Sequence, residues 1–341
     1  MPPVTVSDVG EHELIARITT RLSQPSWVVV GPGDDAAVIE PPRGELDVYT
    51  TDALVDGVHF DLRLMTGYDV GHRALAVNLS DLAAMGAHPR AALLSLALPA
   101  LLPLDVLDGV VAGLLDVAAA HRVALIGGNI TRTPGPLMVD VTAIGSVRRR
   151  RVLRRAGARP GDDVYVTGTL GDAAVGLRAL QARLADPTAP PTDVPAGSAA
   201  CEARYLRPTP RVRAGLQLAL NGAASSAMDL SDGLADGVRQ IAAASGVGIT
   251  LDAEALPITD EVRRWHERHG GDPVDTALMG GDDYELIFTV RPRQRGRLRS
   301  ARRHMGDLPI TRIGVVTRSP ELRVRSPQGS RAVPPGFEHF R

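Results

Sequence analysis

Residues 31–60 read GPGDDAAVIEPPRGELDVYTTDALVDGVHF. An apolar run, Trp27 to Val30, feeds a turn that carries Asp34 and Asp35. A second strand-like run, Leu46 to Tyr49, ends in Thr50, Thr51 and Asp52, with Asp56 and His59 close behind. Two strand ends thus deliver four carboxylates and a pair of hydroxyls to one small region. Carboxylates this close repel each other unless a cation lies among them. Mg²⁺ is the expected partner, a hard cation that takes oxygen ligands and shares its coordination with phosphates. The stretch reads as half of a metal–nucleotide site. GPGDDA also imitates a dinucleotide-binding turn, with Asp52 at the distance of the ribose-binding acid, but Pro41, Pro42 and Gly44 leave no room for the crossover helix.

Outward from this stretch, a helix is expected over 7–22, then helices over 68–85 and 104–121 and strands over 91–98, 123–126 and 137–146. The first half is mixed α/β. Six arginines fall within 148–155, and the composition turns to arginine, glycine and proline through 163, which marks a domain junction. Two α/β domains are therefore expected, 1–148 and 149–341. Residues 185–199, ADPTAPPTDVPAGSA, cannot bury a core and read as a mobile surface segment. TDALVDG at 51–57 echoes SDGLADG at 231–237.

Bulk composition narrows the chemistry. The chain has 341 residues and a net charge of -1, which gives no reason to expect nucleic acid or an anionic membrane as partner. All 38 basic residues are arginines. No P-loop lysine, Schiff-base lysine or kinase strand lysine is possible, so phosphate must be held by arginine, backbone N–H groups or metal. Cys201 is the single cysteine, which excludes an internal disulfide and a thiolate cluster. MPPVTVSDVGEHELIARI lacks the form of a secretory signal, and no apolar run approaches a membrane span, so a cytoplasmic place is expected.

Further groups carry the same acidic logic. Asn78 and Asp81 share one face of an apolar helix. Gly127, Gly128 and Asn129 follow a strand, where paired glycines permit close approach to a phosphate. Asp229, Ser231 and Asp232 repeat the pattern of carboxylate, hydroxyl, carboxylate, and Asp282 with Asp283 forms another acidic turn. Phe337 and Phe340 read as a hydrophobic seal or a stacking surface.

The ordered set GDDAAV, TTDALVDGVHF, ALAVNLSDLAAMGA, GGN-x-TR, RAGARPGDDVYVTGTLGD, LRPTPRV, MDLSDGL, GGDDYELIF and GFEHF resembles the thiamine-monophosphate kinase family, within the aminoimidazole ribonucleotide synthetase superfamily. The resemblance implies two synthetase-like α/β domains and a homodimer joined through the N-terminal sheets. It implies ATP-dependent phosphorylation of thiamine monophosphate to thiamine diphosphate. By matching motif, Asp35, Thr50, Thr51, Asp52, Asp81, Asn129, Asp229 and Asp232 are expected to hold several Mg²⁺ ions. Gly128, Asn129, Arg155 and Ser231 are expected to contact ATP, and His59, Asp282 and Phe337 the thiamine phosphate. Two positions depart from the family: Asn129 stands where many members have Asp, and Asp282 where many have Glu. Direct in-line transfer to an already ionised phosphate needs no nucleophilic side chain and no general base. The alternatives are another ATP-using member of the superfamily, of the aminoimidazole ribonucleotide synthetase type, or a regulator that binds nucleotide or thiamine phosphate without turnover.

Overall fold

The structure, a computed structural model, describes residues 3–186 and 198–336. Phe337 and most of the 185–199 segment lie outside these. The chain divides into two compact units: Met1–Leu82 with His88–Arg149, and Ala83–Ala87 with Arg150–Arg341.

The first unit contains α1 (Val6–Val9), α2 (Glu11–Thr19), β1 (Val28–Val30), β2 (Val38–Ile39), β3 (Leu46–Val55), α3 (Gly67–Ala84), β4 (His88–Pro99), α4 (Leu104–His121), β5 (Ala124–Thr133) and β6 (Met138–Val147). Gly10, at φ 86, breaks the helix expected over 7–22 into α1 and α2. β1 and β2 form an antiparallel hairpin, so the GPGDDA turn leads to a strand and not to a helix. The main sheet runs β3-β6-β4-β5. β6 pairs antiparallel with β3 and β4, and β5 pairs parallel with β4. One face carries the helices. There Val139, Val141 and Ala143 are buried, while Asp140 and Thr142 on the other face are half-buried. α3 and α4 pack backbone against backbone. A Cβ at Gly71 would lie 1.8 Å from Val110 O, and one at Gly113 would lie 2.0 Å from Tyr68 O.

The second unit contains β7 (Asp163–Thr167), α5 (Asp172–Ala185), α6 (Ser198–Leu206), α7 (Val212–Asn221), β8 (Ser226–Asp229), α8 (Leu234–Ser245), β9 (Gly248–Asp252), α9 (Asp260–His269), α10 (Pro273–Met279), β10 (Leu286–Val290), α11 (Arg295–Arg302), β11 (Ile310–Thr317), β12 (Leu322–Ser326) and β13 (Gly329–Ala332). Its sheet runs β13-β12-β9-β11-β7-β10-β8, antiparallel except for β12 on β9. Val164, Val166, Ile249, Leu251 and Ile287 of the sheet meet Leu234, Val238 and Ile241 of α8 in the core.

One buried charge cluster ties this unit together. Glu285, just before β10, is 0% exposed. It accepts from Arg204 Nη2 at 2.6 Å, from Arg211 Nε at 2.6 Å and from Thr167 Oγ1 at 2.6 Å. Burial alone would raise its pKa, but the hydrogen bonds and charges of Arg211 and Arg204 overcome that and hold it below the usual carboxylate value. Removing one partner of such a buried pair typically costs about 3–5 kcal/mol, because the opposite charges stay buried without compensation. Glu285→Ala is expected to lose stability of about that size in urea unfolding, and a loss below about 1 kcal/mol would contradict this account.

Candidate functional site

Sequence placed Thr50, Thr51 and Asp52 at a strand end. They lie inside β3, whose hydrogen-bonded register with β6 continues from Leu46 to Val55. Consecutive residues of a strand point to opposite faces. Thr50 therefore turns toward α3 and its hydroxyl donates to the Asp81 carboxylate. Asp52, two residues on and half-buried, shares that face. Thr51 points the other way: its hydroxyl donates to Asp140 Oδ1 at 3.0 Å and accepts from Thr142 Oγ1 at 3.2 Å.

The open face of the sheet takes the other expected ligands of the first unit. Register aligns Ala53, Asp140, Ser95 and Asn129 in one row across the four strands. Asp35 sits exposed in the hairpin turn, where its N–H donates to Asp34 Oδ1 at 2.9 Å. Asp34, Asp35, Tyr49, Ser95, Asn129 and Asp140 line a cavity of about 610 Å³. The structure thus gathers Thr50, Asp52 and Asp81 on the helix face, and Asp35, Thr51 and Asn129 on the open one.

Gly127, Gly128 and Asn129 are also interior to a strand. The register of β4 and β5 shifts between Ala92 and Leu93, and Ile126 is the extra residue. A Cβ at Gly128 would fall 1.9 Å from Leu94 O. Strand packing is therefore sufficient reason for glycine there. Asn78 is 0% exposed, and its Nδ2 donates to Ala74 O at 2.9 Å within α3. His59 lies in the turn after β3 and its Nδ1 accepts from Val55 N at 3.2 Å, which puts the proton of the neutral ring on Nε2. Asp56 Oδ1 accepts from Leu62 N at 3.1 Å and shapes the same turn.

In the second unit, Asp229 ends β8 and is 4% exposed. Ser231 Oγ donates to Asp232 Oδ2 at 3.1 Å, ahead of Gly233 at φ 90 and then α8. The loop before β10 is clamped onto this one. Asp282 N donates to Ser231 O at 2.7 Å, and Tyr284 N donates to Leu230 O at 2.9 Å. Asp282 and Tyr284 both hold positive φ, 68 and 49, and Tyr284 Oη donates to Asp282 Oδ1 at 3.3 Å. Positive φ is costly for non-glycine residues, so the clamp over-determines this loop. It brings Ser231, Asp232 and Asp282 together across fifty residues of sequence. SDGLADG, by contrast, runs from a loop into a helix, so its likeness to the strand segment TDALVDG is not structural.

Arg155 is exposed, as are Arg148, Arg149, Arg150 and Arg154. Arg155 Nη1 donates to Gln240 Oε1 of α8. Sequence reasoning passed over Gln240, and also Tyr284. Asp283, read as part of an acidic turn, is instead buried, and it accepts from Gly171 N at 2.7 Å and Ala173 N at 3.3 Å at the start of α5. Cys201 is buried, and burial together with nearby Asp172 pushes its thiol up to about 12, so it offers no thiolate.

Oxygen donors alone make up the expected metal set. Among the described residues no three His, Cys, Asp or Glu side chains form a closed cage. Mg²⁺ commonly takes one or two protein carboxylates and fills its octahedron with waters and phosphate oxygens, so open donor pairs such as Thr50 with Asp81 suit it.

Family models describe residues 33–147 as an AIR synthase related protein N-terminal domain and residues 159–326 as the C-terminal domain of the same family. The chain is 42% identical to the thiamine-monophosphate kinase of Escherichia coli, over 90% of each chain. It resembles the crystal structure of thiamine-monophosphate kinase from Stenotrophomonas maltophilia with a TM-score of 0.77 and 42% identity, covering 92% of this chain and 94% of that one. It also resembles AaThiL complexed with AMPPCP and TMP, with a TM-score of 0.76 and 32% identity over 99% of each chain.

Burial pushes Asp283 up to about 8, and the Gly171 and Ala173 N–H groups only partly offset it. The native carboxyl thus keeps a proton that an unfolded Asp releases near pH ~4. Between these values the folded state binds more protons, so stability falls as pH rises. The urea midpoint of the wild type is expected to drop from about pH 5 to about pH 9 by more than that of Asp283→Asn. Equal drops would remove Asp283 as the source.

Proposed function

The chain belongs to the thiamine-monophosphate kinase family, and from this we propose that it catalyses ATP-dependent phosphorylation of thiamine monophosphate to thiamine diphosphate, in thiamine diphosphate biosynthesis. One observation carries the reading. The 42% identity to a thiamine-monophosphate kinase extends over 90% of both chains. AMPPCP and TMP in the complex of AaThiL support the pairing of nucleotide and substrate.

The chemistry is a direct transfer. A bond forms between an ionised oxygen of the acceptor phosphate and the γ-phosphorus of ATP, the bond from that phosphorus to the β–γ bridging oxygen breaks, and its electron pair leaves with ADP. Bound Mg²⁺ supplies the positive charge that lets two anions approach. We assign its ligands to Asp35, Thr50, Thr51, Asp52, Asp81 and Asn129 of the first unit and Asp229 and Asp232 of the second. The Thr50 hydroxyl orients the Asp81 carboxylate from across the sheet face. Gly128, Asn129, Arg155 and Ser231 are assigned to ATP. His59 and Asp282 are assigned to the thiamine phosphate, with the Tyr284 hydroxyl holding the Asp282 carboxylate. Phe337, assigned to the same substrate, lies outside the described residues.

We propose further that the protein works as a homodimer in the cytoplasm, with the sheet of the first unit at the interface. In support, Tyr49 on the open face of β3 is 65% exposed, and Val29 and Val38 of the hairpin are 60% and 49% exposed. No helix among the described residues is long and apolar enough to cross a membrane.

Incubation with ATP, Mg²⁺ and thiamine monophosphate is expected to yield thiamine diphosphate by chromatography, and chelation by EDTA to stop it. A folded sample giving no product would favour binding without turnover. Asp52→Ala and Asp81→Ala are expected to lower kcat by about two orders of magnitude or more with circular dichroism unchanged, and near-normal turnover in both would overturn their assignment. Tyr49→Arg is expected to shift the sedimentation coefficient from dimer to monomer.

A further inference from the structure

Gln240 stands between an arginine and a carboxylate. Arg155 Nη1 donates to Gln240 Oε1, and Gln240 Nε2 donates to Asp236 Oδ2 at 2.5 Å. Asp236 and Gln240 lie one turn apart on α8, so they share a face of that helix. A guanidinium only donates and a carboxylate only accepts, so a single orientation of the amide satisfies both neighbours. The C-terminal segment packs on the carboxylate end of this chain of bonds: a Cβ on Gly336 would lie 3.2 Å from Asp236 Cβ.

We infer that Gln240 is a positioning residue for the nucleotide, orienting the Arg155 guanidinium for the phosphates of ATP while keeping the Asp236 carboxylate out of contact with it. The inference rests on the assignment of Arg155 to ATP made above. Arg155 is exposed, and an exposed arginine loses much rotamer freedom when it grips a ligand. A side chain already held in place loses less, and the saving appears as affinity. A direct ion pair between Arg155 and Asp236 would hold the guanidinium equally well. It would also set a negative charge against the group that must attract a polyanion. The neutral amide transmits the orientation and spends one of five guanidinium N–H donors.

Steady-state kinetics on Arg155→Ala, Gln240→Ala, Gln240→Glu and the double variant Arg155→Ala/Gln240→Ala test this. Gln240→Ala is expected to raise KM for ATP about three- to tenfold, the range for the net worth of one ordinary hydrogen bond, with KM for thiamine monophosphate and the melting temperature unchanged. Gln240→Glu keeps an acceptor for Arg155 but adds a negative charge, and is expected to raise KM for ATP at least as much. In the Arg155→Ala background, Gln240→Ala is expected to add nothing. The inference is overturned if Arg155→Ala raises KM for ATP and Gln240→Ala does not, or if the two effects simply multiply. Should Arg155→Ala leave KM for ATP unchanged, the nucleotide assignment of Arg155 falls, and the role of Gln240 with it.

Discussion

A β-strand cannot turn three consecutive side chains to one face, and in β3 this constraint divides the acidic residues of the first unit. Thr50 and Asp52 face α3 and meet Asp81, while Thr51 faces outward to Asp140 and Thr142. A segment that reads as one compact ligand triplet is therefore two donor sets on opposite sides of a sheet. The sheet makes both possible. It fixes Thr50, Thr51, Asp52 and Asn129 by ladder hydrogen bonds, while Asp81 rides on α3 and Asp35 on the hairpin turn. The close helix pair behind it, with glycines at the contact, leaves α3 little freedom to move Asp81 away from Thr50.

The second unit solves the same problem by other means. Its expected ligands stand at the end of β8 and on the loop that follows, a kind of segment that is ordinarily mobile. Here two loops brace one another. The backbone of Asp282 and Tyr284 is tied to Ser231 and Leu230, and the strained φ values at Asp282 and Tyr284 persist because those bonds hold them. Behind the loops stands Glu285, ionised and fully buried between Arg204 and Arg211. Sequence neighbours here have divided duties. Asp282 remains at the loop surface, Asp283 caps the start of α5, and Glu285 anchors β7 and α6. Of three acids in a span of four residues, two hold structural junctions and one is left to the loop surface.

Much of the element order was legible. The 104–121 helix has the expected limits, because hydrophobic periodicity and flanking breakers agree there. Glycine misled the reading of strand ends. Gly127 and Gly128 look like a turn, but they lie within β5, just past a bulge at Ile126, and at Gly128 the approach of Leu94 O requires a residue without a side chain. Helix α10 and strands β11 to β13 were passed over; α10 and β13 span only seven and four residues, too few for a period to stand out.

The sequence by itself determined the family, the two α/β units, and the residue types available for chemistry: carboxylates and hydroxyls for a hard cation, arginine in place of lysine for phosphate. These follow from composition and from ordered local motifs, which are visible one residue at a time. Tertiary structure alone decided which of those residues stand together. Thr50 meets Asp81 rather than its neighbour Thr51, and Arg155 meets Gln240 across the unit. The reason is physical. Strand register and helix packing set the direction of each side chain, and they arise from contacts between segments far apart in the chain, which local spacing does not encode.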